Sequence, residues 1–213
     1  MLFCDRQEAG RKLAKILTRD KNKDTIVLAL PRGGVPVALE ISKKLSAPLG
    51  VIVVRKIGAP YQPEYGLGAI SEADTLVLDR DRMLQAHVSL EDLEEIINSE
   101  REELKRRIKL YRKNKKLTIK NKVVILVDDG LATGVTARAA SDAAKKLGAK
   151  KIIFASPVCA TQSILRLEKY VDKVVCLSKQ DNLDSIGNYY ENFEQVSDGD
   201  VIKLLKNYED SCG

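Results

Sequence analysis

Two adjacent carboxylates, Asp128 and Asp129, are the most informative chemical feature of the sequence. They follow the apolar run Val123–Val127 and precede Gly130-Leu131-Ala132-Thr133-Gly134-Val135-Thr136. Carboxylates repel phosphate, but they accept hydrogen bonds from sugar hydroxyls and they bind divalent metals. Backbone amides of a glycine-containing turn before a helix bind phosphate, and Thr133 and Thr136 add hydroxyl donors. The segment therefore predicts a site for a sugar phosphate.

Two other stretches place cations or paired glycines directly after apolar runs. Arg32-Gly33-Gly34 follows Leu30-Pro31, and Arg55-Lys56 follows Val53-Val54. Paired glycines allow a ligand to approach the backbone closely, and the cations neutralise phosphate charge. The competing interpretations are a plain strand-to-helix turn at the glycines and two solvated cations at a strand end.

Apolar runs rich in β-branched residues alternate with helical patterns along most of the chain. Strands are predicted over 26–30, 51–54, 75–78, 123–127, 152–155 and 174–177, and helices over 6–17, 35–45, 136–147 and 161–169. This alternation predicts a three-layer α/β fold, a parallel sheet flanked by helices on both faces. Ligands of such sheets bind beyond the carboxyl ends of the strands, where the sugar-phosphate segment falls.

Segment 89–113 interrupts the alternation. Ser89 and Asp92 form a helix-start signal, and apolar residues follow at helical spacing over about six turns. We expect a long inserted helix that, with a C-terminal hood-like segment over 178–213, forms a cap or an oligomer contact outside the sheet. One core suits a chain of 213 residues, so we expect a single domain over 1–213.

Composition excludes several classes of protein. No run of about 18 apolar residues could cross a membrane, and the N-terminus lacks the apolar stretch of a signal peptide. The lone His87 makes a histidine triad or a multi-histidine metal site hard to build. Four scattered cysteines indicate free thiols in a reducing compartment, and we expect a cytoplasmic protein. They are Cys4, Cys159, Cys176 and Cys212.

The net charge of +6 is concentrated in one stretch, 101–122, where eleven Lys and Arg residues face only Glu102 and Glu103. A solvated helix end and linker explains this stretch, and contact with nucleic acid is the alternative. Tyr111 is the one aromatic residue among these cations, and no helix-turn-helix pattern is present. Nucleic acid is therefore not the partner we expect.

The string Val127 to Thr136 resembles the binding motif of type I phosphoribosyltransferases for 5-phosphoribosyl-1-pyrophosphate (PRPP). The resemblance implies that Asp128 and Asp129 hold the ribose hydroxyls and that 130–136 clasp the 5′-phosphate. Residues 30–38 are similar to the family's pyrophosphate loop, with Arg32, Gly33 and Gly34 at the pyrophosphate. Arg55 and Lys56 resemble the cations before its mobile catalytic loop, here 57–72. Asp128, Asp129, Arg55 and Lys56 are the catalytic candidates.

The resemblance also implies Mg²⁺ held through PRPP and not by a direct protein site, with Asp128 or Asp129 as an additional contact. It further implies a nucleobase acceptor and a homodimer. The inserted helix and the ending 186–193 resemble a branch of predicted phosphoribosyltransferases. In its hood, Tyr189, Tyr190 and Phe193 either form the acceptor pocket or pin the C-terminal segment onto the sheet.

Ala132 occupies the position where the hypoxanthine-guanine enzymes carry an additional acid. The motif is closer to that of the adenine and uracil enzymes, so acid-assisted salvage of 6-oxopurines is not expected. Glu64 and Glu72 are the weaker candidates for a substitute proton acceptor.

Three functions compete. The first is a phosphoribosyltransferase. The second is a regulator that keeps the site as a PRPP sensor and contacts nucleic acid through 101–122. The third is another phosphate-handling α/β enzyme, although neither a G-x-x-x-x-G-K-[ST] loop nor a G-x-S-x-G elbow is present.

Overall fold

The computed structural model describes residues 2–113 and 115–212. In chain order the elements are α1 (Arg6–Leu17), β1 (Thr25–Ala29), α2 (Gly34–Leu45), β2 (Leu49–Val51), β3 (Val54–Ala59), β4 (Gln62–Ser71), β5 (Thr75–Leu78), α3 (Arg80–Gln85), α4 (Glu94–Arg112), β6 (Val123–Val127), α5 (Val135–Lys146), β7 (Lys151–Ala160), α6 (Thr161–Leu167), β8 (Lys173–Gln180) and α7 (Asp198–Cys212). No helix within the described ranges is long and apolar enough to cross a membrane.

The predicted parallel sheet is confirmed. Its five strands lie in the order β2-β1-β6-β7-β8, and every neighbouring pair is parallel. All five residues of β6 are buried, because alternate side chains enter two separate cores. Helices α1 and α2 contribute to one core and α5 and α6 to the other. Each fully buried aliphatic side chain stabilises the fold by about 1.5–3 kcal/mol.

A second sheet was not anticipated. Strands β3, β4 and β5 form it, and both pairs are antiparallel. The apolar run 51–54, predicted as one strand, instead contains the end of β2 and the start of β3. The predicted strand 75–78 exists as β5, but it lies outside the parallel sheet. Two residues separate β3 from β4, and three separate β4 from β5. Both pairs must be antiparallel, because a parallel pair needs a crossover of a dozen residues or more.

The inserted segment contains a 19-residue helix, α4. It begins at Glu94, after a short 3₁₀ turn, and Ser89 and Asp92 cap this turn reciprocally: each backbone N–H donates to the other's side chain, at 2.8 and 3.2 Å. Leu104 and Tyr111 of α4 are buried in the core shared with α1 and α2. The C-terminal segment contains a helix, α7, for which the sequence interpretation had specified no secondary structure.

Candidate active site

The strand order places the candidate site. Numbered along the chain, the parallel strands lie in the order 2-1-3-4-5, so the connections reverse direction between β1 and β6. Ligands of open α/β sheets bind at this switch point, beyond the carboxyl ends of the two strands. The loop after β1 carries Arg32, Gly33 and Gly34, and the loop after β6 carries Asp128 and Asp129. The fold therefore brings together two motifs almost a hundred residues apart.

The two loops touch, and the paired glycines make the contact possible. The Leu30 amide donates to the Val127 carbonyl at 2.8 Å. A Cβ atom at Gly34 would lie 2.4 Å from the Val127 oxygen, and one at Gly33 would lie 2.0 Å from Oδ2 of Asp129. Neither glycine has a positive φ, so the space rather than the backbone conformation requires them. The peptide bond between Pro31 and Arg32 is cis.

The two carboxylates lie in different electrostatic environments. The backbone amide of Asp129 donates to Oδ1 of Asp128 at 2.9 Å. Burial raises the pKa of Asp128 well above its usual range, and the charge of Asp129 raises it further. Oδ2 of Asp129 instead accepts a hydrogen bond from Nε of Arg6 at 2.8 Å. One carboxylate is therefore paired with a cation while its neighbour resists ionisation.

Arg6 is a site residue that the sequence analysis missed. It lies at the start of α1, is 8% exposed, and donates from Nη1 to the Glu194 carbonyl at 2.8 Å. Its guanidinium lies 3.8 Å from the ring centroid of Phe193. No local motif surrounds it, and its partner Asp129 is 123 residues away. Only the packing of α1 against the end of the sheet reveals its role.

The loop after Asp129 is anchored on both sides. Leu131 forms a bridge with Cys159, in which its amide donates to Val158 and its carbonyl accepts from Ala160, both at 2.8 Å. Gly134 has a φ of +81°, which favours glycine, and α5 begins at the next residue. The first amides of a helix have no partner within it, so they can bind an anion. The predicted phosphate segment, residues 130–136, therefore has the geometry of an anion site.

The predicted pyrophosphate cations are all held by other groups of the chain. Nη1 of Arg32 lies 3.7 Å from Oδ1 of Asp198, at the start of α7. Arg55 forms two hydrogen bonds with Glu100 of α4, at 2.5 and 3.1 Å. Lys56 donates to the backbone carbonyl of Glu64 across the β3-β4 hairpin. A ligand at these cations would have to exchange with their present partners.

The stretch 57–72, predicted as the catalytic loop, consists largely of β3 and β4, joined by a turn at which Tyr61 is 99% exposed. That it moves stays a prediction. Glu72 is not at a surface: its Oε1 accepts from the Val53 amide at 3.0 Å and its Oε2 from Arg112 at 2.6 Å. This pairing makes Glu72 a poor candidate for proton transfer.

The aromatic side chains proposed for the acceptor pocket lie around the acidic loop. Tyr190 is buried, donates from its hydroxyl to the Asp129 carbonyl at 2.8 Å, and packs against the rings of Phe3 and Phe193 at 5.6 and 5.0 Å. The carbonyl of Tyr189 accepts from the Phe3 amide at 2.9 Å. These contacts join both chain ends to the site, and a role in acceptor binding stays a prediction.

Many cations of the stretch 101–122 have acidic partners, some of them on distant elements. Glu103 accepts from both Arg106 and Arg107, at 2.6 and 2.7 Å, and these contacts lower its pKa to about 2. Arg106 also reaches Asp198 at 3.0 Å, and Lys115 reaches Glu209 at 2.8 Å. Counting charges along the sequence therefore overstated the positive charge that this stretch offers to a partner.

Comparison with known proteins identifies the family to which the chain is similar. The profile of the phosphoribosyl transferase domain matches residues 5–191. A Mycobacterium tuberculosis H37Rv protein named "Putative phosphoribosyl transferase Rv0571c" is 41% identical over 205 residues, which cover 96% of the chain and 46% of that protein. The chain thus spans about half the length of the curated relatives it matches.

Two solved structures extend the comparison. The crystal structure of TT1426 from Thermus thermophilus aligns with a TM-score of 0.80 and 37% identity, covering 98% of this chain and 99% of that one. The AQ2163 protein of Aquifex aeolicus aligns with a TM-score of 0.50 and 13% identity, covering 82% and 74%. The second likeness concerns the fold alone.

Proposed function

Because the chain belongs to the phosphoribosyl transferase domain family, we propose that it uses PRPP to phosphoribosylate a nucleobase-like acceptor with release of pyrophosphate. The observation that carries the proposal is the contact between the loops after β1 and β6 at the switch point of the sheet. One loop offers a pair of carboxylates followed by free helix amides, and the other offers glycines and Arg32. A sugar that carries phosphates at both ends matches both loops.

The acidic pair also fits Mg²⁺. This ion binds through one or two carboxylates together with substrate phosphates and water, and it does not need a cage of protein ligands. Among the described residues no group of three or more His, Cys, Asp or Glu side chains could hold a metal. Asp128 and Asp129 would hold Mg²⁺ together with PRPP, and the bound ion would neutralise charge on the departing pyrophosphate.

The chain's own residues would position the reactants. The carboxylates of Asp128 and Asp129 accept hydrogen bonds from the ribose hydroxyls, and the loop 130–136 holds the 5′-phosphate. Arg32, Arg55 and Lys56 neutralise the pyrophosphate as it leaves C1 and the acceptor nitrogen bonds to that carbon. No nucleophilic side chain is needed, because fixing both reactants in one orientation lowers the barrier.

The identity of the acceptor base is inferred from one position in the phosphate loop, residues 130–136. Ala132 is exposed, and no carboxylate occupies its place in the phosphate loop. We propose a base that does not need this acid, with Tyr189 and Phe193 near its binding place. Action as a cytoplasmic homodimer belongs to the same proposal.

Incubation with PRPP and Mg²⁺ tests the function directly. Pyrophosphate release should depend on one member of a panel of purine and pyrimidine bases. The same base should raise the melting temperature only when PRPP is present, because a ligand stabilises the state that binds it. A panel in which no base elicits pyrophosphate release above the rate without base would contradict the proposed transfer.

Glu100 should restrain Arg55 from the pyrophosphate. Glu100→Gln keeps the size of the side chain but removes the charge that holds the guanidinium at 2.5 and 3.1 Å. We expect pyrophosphate to bind about two- to fivefold more tightly, since a partly exposed ion pair contributes about 0.4–1 kcal/mol. Isothermal titration with pyrophosphate and Mg²⁺ measures the change.

Glu102→Gln is the matched control for Glu100→Gln. Glu102 is also on α4, and among the described residues it pairs only with Lys105, an exposed neighbour one turn away. Its substitution should leave pyrophosphate affinity unchanged. Weaker binding in Glu100→Gln than in the control would mean that the ion pair orients Arg55 and does not compete for it.

A further inference from the structure

A cavity borders the predicted phosphate segment, residues 130–136, which we call the phosphate loop. It has a volume of about 520 Å³ and lies between the end of β5, the first turn of α5, and α6 with the residues after it. Thr133 and Gly134 line it, but Asp128, Asp129, Arg32 and Arg55 do not. Cavities of about 300–1,000 Å³ accommodate most small-molecule ligands. We call it the α5-α6 pocket.

Four cations line the α5-α6 pocket, and few of their charges are neutralised. In the part of the chain that the structure describes, the side chains of Arg80, Arg166 and Lys169 form no hydrogen bond or ion pair. Two carboxylates also line the pocket, Asp81 and Asp79, and Asp79 accepts from the Arg82 amide at 3.2 Å as the N-cap of α3. The pocket therefore carries an excess of positive charge.

Arg138 is the cation of the pocket whose hydrogen bonding within the protein is least complete. Its Nε atom is buried without a hydrogen-bond partner, and the carboxylate paired with it, Asp142, stays 3.7 Å away. Its guanidinium stacks 4.3 Å above the ring centroid of Tyr170, which restricts its orientation. An anion that reaches this donor would supply the hydrogen bond that Asp142, at 3.7 Å, is too distant to accept.

We propose that the α5-α6 pocket binds a phosphate-bearing small molecule of nucleotide size, separately from the PRPP site. Arg138 and Arg166 would face the phosphate. Val77, Val135 and Leu167 line the same cavity and suit the apolar part of the ligand. The volume exceeds what a lone phosphate requires.

The pocket is connected to the phosphate loop through α6. The hydroxyl of Ser163, which lines the pocket, donates to the Ala132 carbonyl within that loop. Gly134 belongs to both the loop and the pocket wall. A ligand of the pocket therefore changes the affinity of the loop for its own phosphate, and the effect is reciprocal. This coupling rests on the proposed function, whereas occupation of the pocket does not.

Calorimetric titration with nucleoside mono-, di- and triphosphates tests the pocket. The titration is carried out with PRPP and Mg²⁺ saturating, and again without PRPP. At least one nucleotide should bind in both conditions with one site per chain. Arg138→Gln with Arg166→Gln should weaken its binding about tenfold or more, as expected when two charge-assisted contacts are lost. Higher salt should weaken it as well.

Arg19→Gln with Lys150→Gln is the matched control for the pocket variant. Both residues are outside the pocket and form no ion pair within the described ranges, and the double change removes the same charge. It should leave nucleotide affinity unchanged. Asp128→Asn with Asp129→Asn should also retain binding, which separates failure of the PRPP site from failure of the pocket.

Three results would overturn the pocket proposal. The first is that no nucleotide binds with a dissociation constant below about 1 mM. The second is that the pocket variant and the control bind equally well. The third is that sedimentation shows a dimer that only the pocket variant dissociates, which would assign the surface to a second copy of the chain.

Discussion

Asp128→Asn with Asp129→Asn should lower PRPP-dependent pyrophosphate release by at least about 10²–10³-fold, the usual cost of removing one charge-stabilising group from an active site. Asparagine keeps the shape of each side chain, but it removes the charge that binds a metal and that accepts strongly from ribose hydroxyls. PRPP affinity in the presence of Mg²⁺ should fall as well. A coupled pyrophosphate assay and an isothermal titration measure the two effects separately.

The double variant should remain folded. Asparagine at position 128 retains an oxygen that can accept from the Asp129 amide, and it removes a charge that burial disfavours. Arg6 loses a charged partner but keeps the Glu194 carbonyl and the ring of Phe193. Asp184→Asn, at an exposed position beyond β8, is the control. Activity that survives in the double variant would remove these carboxylates from the proposed mechanism.

Gly34→Ala should destabilise the fold by about 1–3 kcal/mol, the range for overpacking a well-packed core, and should abolish PRPP binding. The new methyl group would lie 2.4 Å from the Val127 carbonyl and 3.0 Å from Cα of Asp128. Both atoms belong to the backbone of β6 and its loop, so they cannot move without displacing the acidic pair. Urea denaturation gives the change in the free energy of unfolding.

Gly199→Ala provides the opposite expectation with the same chemical change. Gly199 lies in the first turn of α7, and a Cβ atom there would meet only Oγ of Ser197, at 3.6 Å. Alanine should stabilise the protein by about 0.4–1 kcal/mol, because it restricts the unfolded chain. Equal stability of the two variants would contradict the close contact between the loops after β1 and β6.

The charged side chains of the candidate site neutralise one another through contacts within the protein. Asp129 pairs with Arg6, Arg55 with Glu100, and Arg32 approaches Asp198. The partners come from α1, α4 and α7, the elements at the chain ends and in the insertion. Under the proposed function, ligand charges would replace these contacts, so the same three elements would set how tightly PRPP binds.

The parallel sheet and the acidic loop could be predicted from sequence because their signals are local. Val123–Val127 is a continuous apolar run, which is typical of a parallel strand buried on both faces. The two carboxylates and the glycines directly after it indicate a binding loop at the end of that strand. Gly33, Gly34 and Gly134 were identifiable as a group. The physical requirement differs between them, since Gly134 supplies a positive φ while Gly33 and Gly34 supply space.

The second sheet, the role of Arg6 and the partners of the cations depended on the tertiary structure. The short connections between β3, β4 and β5 indicate antiparallel pairing. The prediction of strands from apolar runs did not use the lengths of these connections, so it placed all strands in one parallel sheet. Arg6 and Asp129 are 123 residues apart, and Glu100 and Arg55 are 45 apart. The sequence by itself determined which chemical groups follow each strand. Which of these groups meet was decided by the packing of helices against the sheet, because a charge pairs with its nearest neighbour in space and local sequence does not encode that distance.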